Sequence, residues 1–299
     1  NIQSAIPQHA TAHLSEAVRA ELLGSSAQEW LSRLLARGPA GVADEAADLL
    51  DAMHLGMQTL NEDAAIPVSV GSVEIRLVPS VSKTPDWSMQ DGSKVYPGSM
   101  ALARQILQND IDVKGQRVLE LACGLGLPGL AAARAGAAVV VLTDRDEGLL
   151  APVLASAGLN GLSESVEAKC LDWTQPDVAG RLQSSEFSGH LPFHLVMAAE
   201  AVYEAQHARQ ALAVSSVLLA NGLAEEILFA TGPPRQRDGI YPFASMLGID
   251  EETLSAENYM SGCATVADAP VLHWEVLAVA GVKSERSCRI FKLRLAQPE

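Results

Sequence analysis

Val118-Leu119-Glu120-Leu121-Ala122-Cys123-Gly124-Leu125-Gly126-Leu127-Pro128-Gly129 is an apolar run that ends in three spaced glycines and opens onto an alanine-rich stretch. It reads as a strand turning through a glycine loop into a helix. Glycines 124, 126 and 129 allow a tight turn and a close ligand approach, and the helix start beyond them offers free N–H groups. Asp144 ends the next expected strand, where a carboxylate accepts both hydroxyls of a ribose. Together they predict a nucleoside-like cofactor site. The same glycine spacing fits the dinucleotide fingerprint, so a nicotinamide enzyme is a rival. Glu120 separates the two, because an unpaired charge near the end of an apolar strand costs on the order of several kcal/mol. A cationic ligand would balance it and a pyrophosphate would be repelled. A second explanation stays open, in which Glu120 pairs with an arginine or caps a backbone group.

Outward from this loop, strand and helix patterns alternate, as parallel β-α-β units do. Strands are expected over Arg117–Ala122, Ala138–Thr143, Val166–Cys170, Leu195–Ala199 and Ile227–Thr231, with helices over Met100–Leu107, Leu127–Ala135 and His207–Ala220. Leu272–Ala280 and Cys288–Leu295 close the chain across a turn too short for a crossover helix, so these two strands are expected to be antiparallel. Val68, Val70, Val73, Ile75 and Leu77 alternate around Gly71-Ser72 and predict a β-hairpin over about 66–78. Residues 1–62 carry apolar side chains at helical spacing, a helical extension before a main domain over 63–299. The expected class is α/β, doubly wound and mostly parallel.

With 36 acidic and 21 basic residues the chain carries a net charge of -15, a field that repels phosphate backbones and attracts cationic partners. Nucleic acid is therefore not expected as a partner, and a basic protein segment is. Four cysteines without a C-x-x-C pair argue against a zinc ribbon and a disulfide framework. No metal is expected. Apolar stretches are too short to span a bilayer and the N-terminus lacks a signal pattern, so a cytoplasmic or nuclear monomer with no membrane contact is expected.

A sulfonium nucleoside, S-adenosylmethionine, satisfies both Glu120 and the glycine loop. At this point the sequence resembles the class I, seven-strand methyltransferases, and within them the methyltransferase-like 21 group of protein lysine methyltransferases. Glu120 to Gly129 looks like motif I, and Leu127-Pro128-Gly129-Leu130-Ala131-Ala132-Ala133 is similar to that group's run. Val95-Tyr96-Pro97-Gly98 resembles its Val-Trp-Pro-Gly segment, Asp144 its ribose-binding acid, Leu171-Asp172-Trp173 its Asp-Trp pair, and Glu200-Ala201-Val202-Tyr203 its Asp-x-x-Tyr segment. The resemblance implies a seven-stranded, Rossmann-like sheet and a cofactor site of Tyr96, Glu120, Ala122, Gly124, Gly126, Asp144, Asp172, Trp173 and Ala199. It further implies that Glu200 positions an acceptor amine and that Tyr203 walls its pocket. Departures are Ala122 for the first motif glycine, His194 for an Asp that starts the fourth strand, Ser156 for the first of two Asn ending at Asn160, and Glu200 for Asp. After the fifth strand, residues 232–243 read as a polar loop at the carboxyl edge of the sheet, with Tyr241 and Phe243 as candidate substrate contacts. The reaction this implies is methyl transfer to a protein side-chain nitrogen, lysine above arginine or histidine. A small-molecule N-methyltransferase and a binding protein without turnover are the alternatives.

Overall fold

The structure is a computed structural model that describes residues 65–79, 94–233, 238–255, 260–265, 271–277, 279 and 288–296. The expected helical extension over 1–62 lies outside these residues. The described chain begins with a hairpin of β1 (Ile66–Val70) and β2 (Val73–Leu77), paired antiparallel across Gly71 and Ser72. Gly71 takes a φ of 63°, open to glycine at little cost in a two-residue hairpin turn.

The main sheet has eight strands, one more than expected. In chain order they are β3 (Arg117–Leu121), β4 (Val139–Asp144), β5 (Val166–Cys170), β6 (Phe193–Ala199), β7 (Ala224–Thr231), β8 (Met260–Thr265), β9 (Val271–Leu277) and β10 (Arg289–Leu295). Across the sheet the order is β5-β4-β3-β6-β7-β10-β9-β8. The first five are parallel, and β10 enters antiparallel between β7 and β9. The closing pair β9 and β10 is antiparallel, as expected. The additional strand β8 pairs antiparallel with β9 at the sheet's edge.

Helices cover both faces, which is why the parallel strands are apolar on both sides. On one face, Val118, Val140, Leu142, Met197 and Leu228 pack with α1 (Pro97–Leu107), α2 (Leu127–Arg134), α3 (Leu150–Leu159) and the hairpin. On the other, Leu119, Leu121, Val196, Ile227 and Phe291 pack with α4 (Val178–Gln183), α5 (Ala205–Ala220), α6 (Ile240–Met246) and α7 (Glu251–Ser255). No helix among the described residues is long and apolar enough to cross a membrane. From β3 the chain runs outward to β4 and β5, then returns to β6 on the other side of β3. The crevice at the carboxyl ends of β3 and β6 is thus the topological switch point, where sheets of this class hold their ligands.

Asn160 and two departures from the family pattern, Ser156 and His194, act as fasteners within this frame. Asn160, at the end of α3, donates from Nδ2 to the Arg76 carbonyl at 2.7 Å and accepts the Arg76 N–H at 3.0 Å, so its carboxamide pairs with β2 as a neighbouring strand would. Ser156, one turn earlier, accepts the Val78 N–H at 2.8 Å. Where β3 and β6 begin, His194 Nδ1 accepts the Arg117 N–H at 3.0 Å, supplying the acceptor that an aspartate there would provide.

Candidate active site

The chain segments leaving β3, β4, β5, β6 and β7 meet at the carboxyl edge. Asp144, the last residue of β4, is 8% exposed. Its Oδ2 accepts the Gly124 N–H at 3.1 Å and its Oδ1 the Asp146 N–H at 3.0 Å. One carboxylate therefore ties the glycine loop to the loop after β4. Burial pushes its pKa up, and the amides of Asp146 and Gly124 work against that rise. Gly124 and Gly126 have φ of 52° and 72°, left-handed values that favour glycine. Ala122 takes the same region at φ 51° without being glycine, so the departure from the motif is carried as backbone strain.

Glu120 is 1% exposed, and its Oε2 accepts the Gly129 N–H at 2.8 Å. Gly129 is the third residue of α2, so the carboxyl caps one of the helix's orphan donors. A side chain at Gly129 would overlap Leu142 and come within 2.6 Å of Glu120 Oε2, which is why this last motif residue is glycine. Burial drives the Glu120 pKa up to about 8, against the Gly129 hydrogen bond and with help from Asp144. Of the two explanations for Glu120, the backbone cap is present in the structure, with Oε2 engaged at Gly129, and burial favours the neutral form of the carboxyl. Burial, with the Glu120 and Asp144 carboxyls adding to it, holds the Cys123 thiol well above its ordinary value.

Glu200 follows β6 at φ 60° and is 9% exposed. Its Oε1 accepts the Gly98 N–H at 2.7 Å, in the first turn of α1. Gly98 and Gly232 both face this carboxyl, and a Cβ on either would stand 2.7 or 3.0 Å from Oε1. The longer glutamate therefore caps α1, and that brings the preceding Tyr96, half-buried at the helix start, to the carboxyl edge. Ala199, also partly exposed, is the last residue of β6 and directly precedes Glu200.

Tyr203 is half-buried, with its ring 4.2 Å from that of His207. His207 in turn lies 6.4 Å from Trp173, which is 7% exposed and part of the core. Asp172 accepts from the Thr174 N–H at 3.0 Å, the Thr174 hydroxyl at 2.6 Å and Gln175 Nε2 at 2.8 Å. Partial burial raises its pKa, but these donors and the Arg145 charge outweigh it and hold the carboxyl below its ordinary value. Tyr203 is raised, first by burial, and it feels both Arg145 and Asp144. The site thus has two sides, with Asp144 and the glycine loop on one and Tyr203, His207 and Trp173 on the other.

Residues 240–246 form a helix, not the expected polar loop. Phe243 is fully buried, packed edge-on against Phe229 at 5.4 Å and Phe291 at 5.0 Å, so it is a core residue and not a substrate contact. Tyr241 is only partly buried, and the Gly239 N–H before it bonds the Tyr203 carbonyl at 3.3 Å, which places the start of α6 beside the Tyr203 loop. Sequence reasoning missed His207 and Arg145. A histidine opening a helix and an arginine after a strand carry no periodic signal, and only their shared neighbour Tyr203 marks them.

A family described as lysine methyltransferase matches residues 84–239, just over half of the chain. The electron transfer flavoprotein beta subunit lysine methyltransferase of Xenopus laevis is 34% identical over 112 residues, covering 37% of this chain and 40% of that protein. The protein of the same description from Danio rerio is 45% identical over 51 residues, 17% of this chain and 20% of its own length. The chain therefore spans less than half the length of either relative. Among solved structures, magnesium protoporphyrin IX methyltransferase from Synechocystis PCC 6803 with bound SAH aligns at a TM-score of 0.38 and 14% identity, over 67% of this chain and 84% of that one. The family match runs through the glycine loop, Asp144, Asp172-Trp173 and the segment from Glu200 to Tyr203, and on it this chain belongs to the lysine methyltransferase family.

Proposed function

We propose that the protein transfers a methyl group from S-adenosylmethionine to a side-chain nitrogen of another protein, with lysine as the acceptor. The observation that carries this reading is Asp144 facing Gly124 across the carboxyl ends of β3 and β4. Each of its oxygens keeps acceptor capacity beyond the one backbone bond described, as a ribose diol requires. The match of residues 84–239 to a lysine methyltransferase family argues against the nicotinamide rival. Bound at this edge, S-adenosylmethionine supplies an electrophilic methyl on a sulfonium.

The residues of the chain then have to align an amine and keep it deprotonated. A lysine amine, with a reference pKa of about 10.4, loses its proton more readily in a partly apolar pocket. Tyr203 and Trp173 supply apolar surface, and Tyr203 also carries a hydroxyl that can orient the amine. Glu200, whose Oε1 is engaged at Gly98, is better suited to holding Tyr96 and the loop after β6 in place than to taking a proton. The net charge of -15 suits a basic protein segment as substrate. The relatives' description makes the electron transfer flavoprotein beta subunit the first substrate to try.

One observation favours a second reading, a binding protein without turnover: the carboxyl that stands where the family has its Asp is spent on a backbone cap. Incubating the purified protein with labelled S-adenosylmethionine and cell extract, with and without protease treatment before readout, separates the possibilities. Label in protein that yields methyl-lysine on hydrolysis supports the proposal. Label resistant to protease points to a small-molecule substrate, and cofactor binding without transfer points to the silent reading.

A further inference from the structure

We propose that His207 is a positioning residue for Tyr203 and, through it, governs how well the acceptor side chain is held. This rests on the methyl-transfer reading of the site. His207 is the third residue of α5 and is 6% exposed. Its ring packs against Tyr203 at 4.2 Å with a tilt of 46°, and against Trp173 at 6.4 Å. Its Nδ1 is buried and has no hydrogen-bond partner among the described atoms. A phenylalanine or leucine would fill the same space without leaving a buried polar atom unpaired, so packing alone does not explain an imidazole here.

Tyr203 rests in part on this ring. It lies in the loop between β6 and α5, tied by its carbonyl to Gly239, and one side of its ring rests on His207. The imidazole is therefore the floor of the aromatic wall. Burial holds it neutral, lowering its pKa, with Arg145 acting the same way and Glu204 opposing. These two charges, with the Tyr203 hydroxyl, are the ionisable neighbours that bear on it. A proton on the ring would place a cation in an apolar gap, in the field of Arg145, and drive the ring outward. Tyr203 would lose its floor while Asp144 and the glycine loop stay as they are. Acid should accordingly weaken acceptor binding and spare cofactor binding.

The test compares wild type with His207→Phe, which keeps the ring but cannot titrate, and His207→Ala, which removes it. Label transfer is measured against extract-protein concentration from pH 5.5 to 8, with S-adenosylhomocysteine affinity followed by calorimetry. From pH 8 to 5.5 the half-saturating acceptor concentration in wild type should rise at least threefold more than it does in His207→Phe, with the cofactor affinity within twofold. Protonation of the acceptor amine raises this value in acid for every variant, so the rise in His207→Phe should be the smaller one, and in His207→Ala the acceptor term should be raised at every pH. A His207→Phe protein with the wild-type pH profile, or a His207→Ala protein with wild-type acceptor saturation, would overturn the proposal. If wild type transfers no label, the function reading fails, and the Tyr203 ring signals by NMR still decide this point. They should follow the imidazole titration in wild type and lose their dispersion in His207→Ala, and dispersion unchanged in His207→Ala would sink it.

Discussion

Glu200 Oε1 accepts the Gly98 N–H at 2.7 Å, so the residue after β6 caps the helix that opens the domain 102 positions earlier. A buried hydrogen bond to a carboxylate contributes about 1.5–3 kcal/mol. Glu200→Ala is expected to lose about that much stability by urea denaturation, and Glu200→Gln, which keeps an acceptor oxygen, to lose less. Gly98→Ala should be at least as damaging as Glu200→Ala, since its Cβ would stand 2.7 Å from Oε1 and 2.9 Å from the Thr231 backbone. Equal stability of all three variants and wild type would remove the cap from the fold.

Ala122 at φ 51° offers the opposite expectation. An L-residue in the left-handed region costs roughly 1–2 kcal/mol, while glycine adopts it freely but loses more chain entropy on folding. Ala122→Gly should therefore be neutral or stabilising by up to about 1 kcal/mol, and Ala122→Val, branched at Cβ, clearly destabilising. The order of urea midpoints, Gly at or above Ala and Val lowest, checks this.

Glu120 makes stability depend on pH in a defined direction. Its folded pKa of about 8 lies above the ordinary value of 4.5, so the folded state binds the extra proton between those limits. Stability from this group is full below about pH 4.5 and declines as pH rises toward 8, by at most about 1.4 kcal/mol per unit crossed. Glu120→Gln removes the titration and keeps an oxygen for the Gly129 N–H. The difference in urea midpoint between variant and wild type should move in the variant's favour from pH 5 to pH 8 and then level off. A difference that is flat with pH would show that Glu120 is ionised throughout.

Much of this was legible from the chain because the central strands are buried on both faces. Continuous apolar runs such as Val139–Leu142 and Leu195–Ala199 have no other soluble use in an alternating pattern, and the glycine loop announces itself by spacing. The α6 helix was hidden by Pro242, which usually marks a loop but is tolerated here in the helix's first turn, where no intrahelical donor is needed. Strand β8 was hidden by its small residues, because Gly262 is required by the Trp274 ring, whose nearest atom would lie 2.6 Å from a Cβ there. Glu120 could be recognised as a buried charge in need of a partner. The partner, a backbone N–H nine residues on, exists only once α2 has folded back over β3.

Asn160 and Ser156 should hold the hairpin without touching the cofactor side. Asn160→Ala deletes both bonds to Arg76, and Ser156→Ala the bond to Val78. Amide hydrogen exchange is expected to quicken at Arg76 and Val78 in the respective variants, with protection in β3 and β4 and affinity for S-adenosylhomocysteine unchanged. Uniform loss of protection across the sheet would mean that the hairpin is integral to the core.

Calorimetric titration with S-adenosylhomocysteine bears most directly on the site as a whole, with wild type beside Asp144→Asn and Asp144→Ala and folding of each checked by circular dichroism. Asp144 is the carboxylate that ties the glycine loop to β4 and offers oxygens to a ribose. Wild type should bind with measurable heat, and both folded variants should bind at least tenfold more weakly. Wild-type affinity in the folded variants, or no binding by wild type, would contradict the assignment of this edge to a sulfur nucleoside.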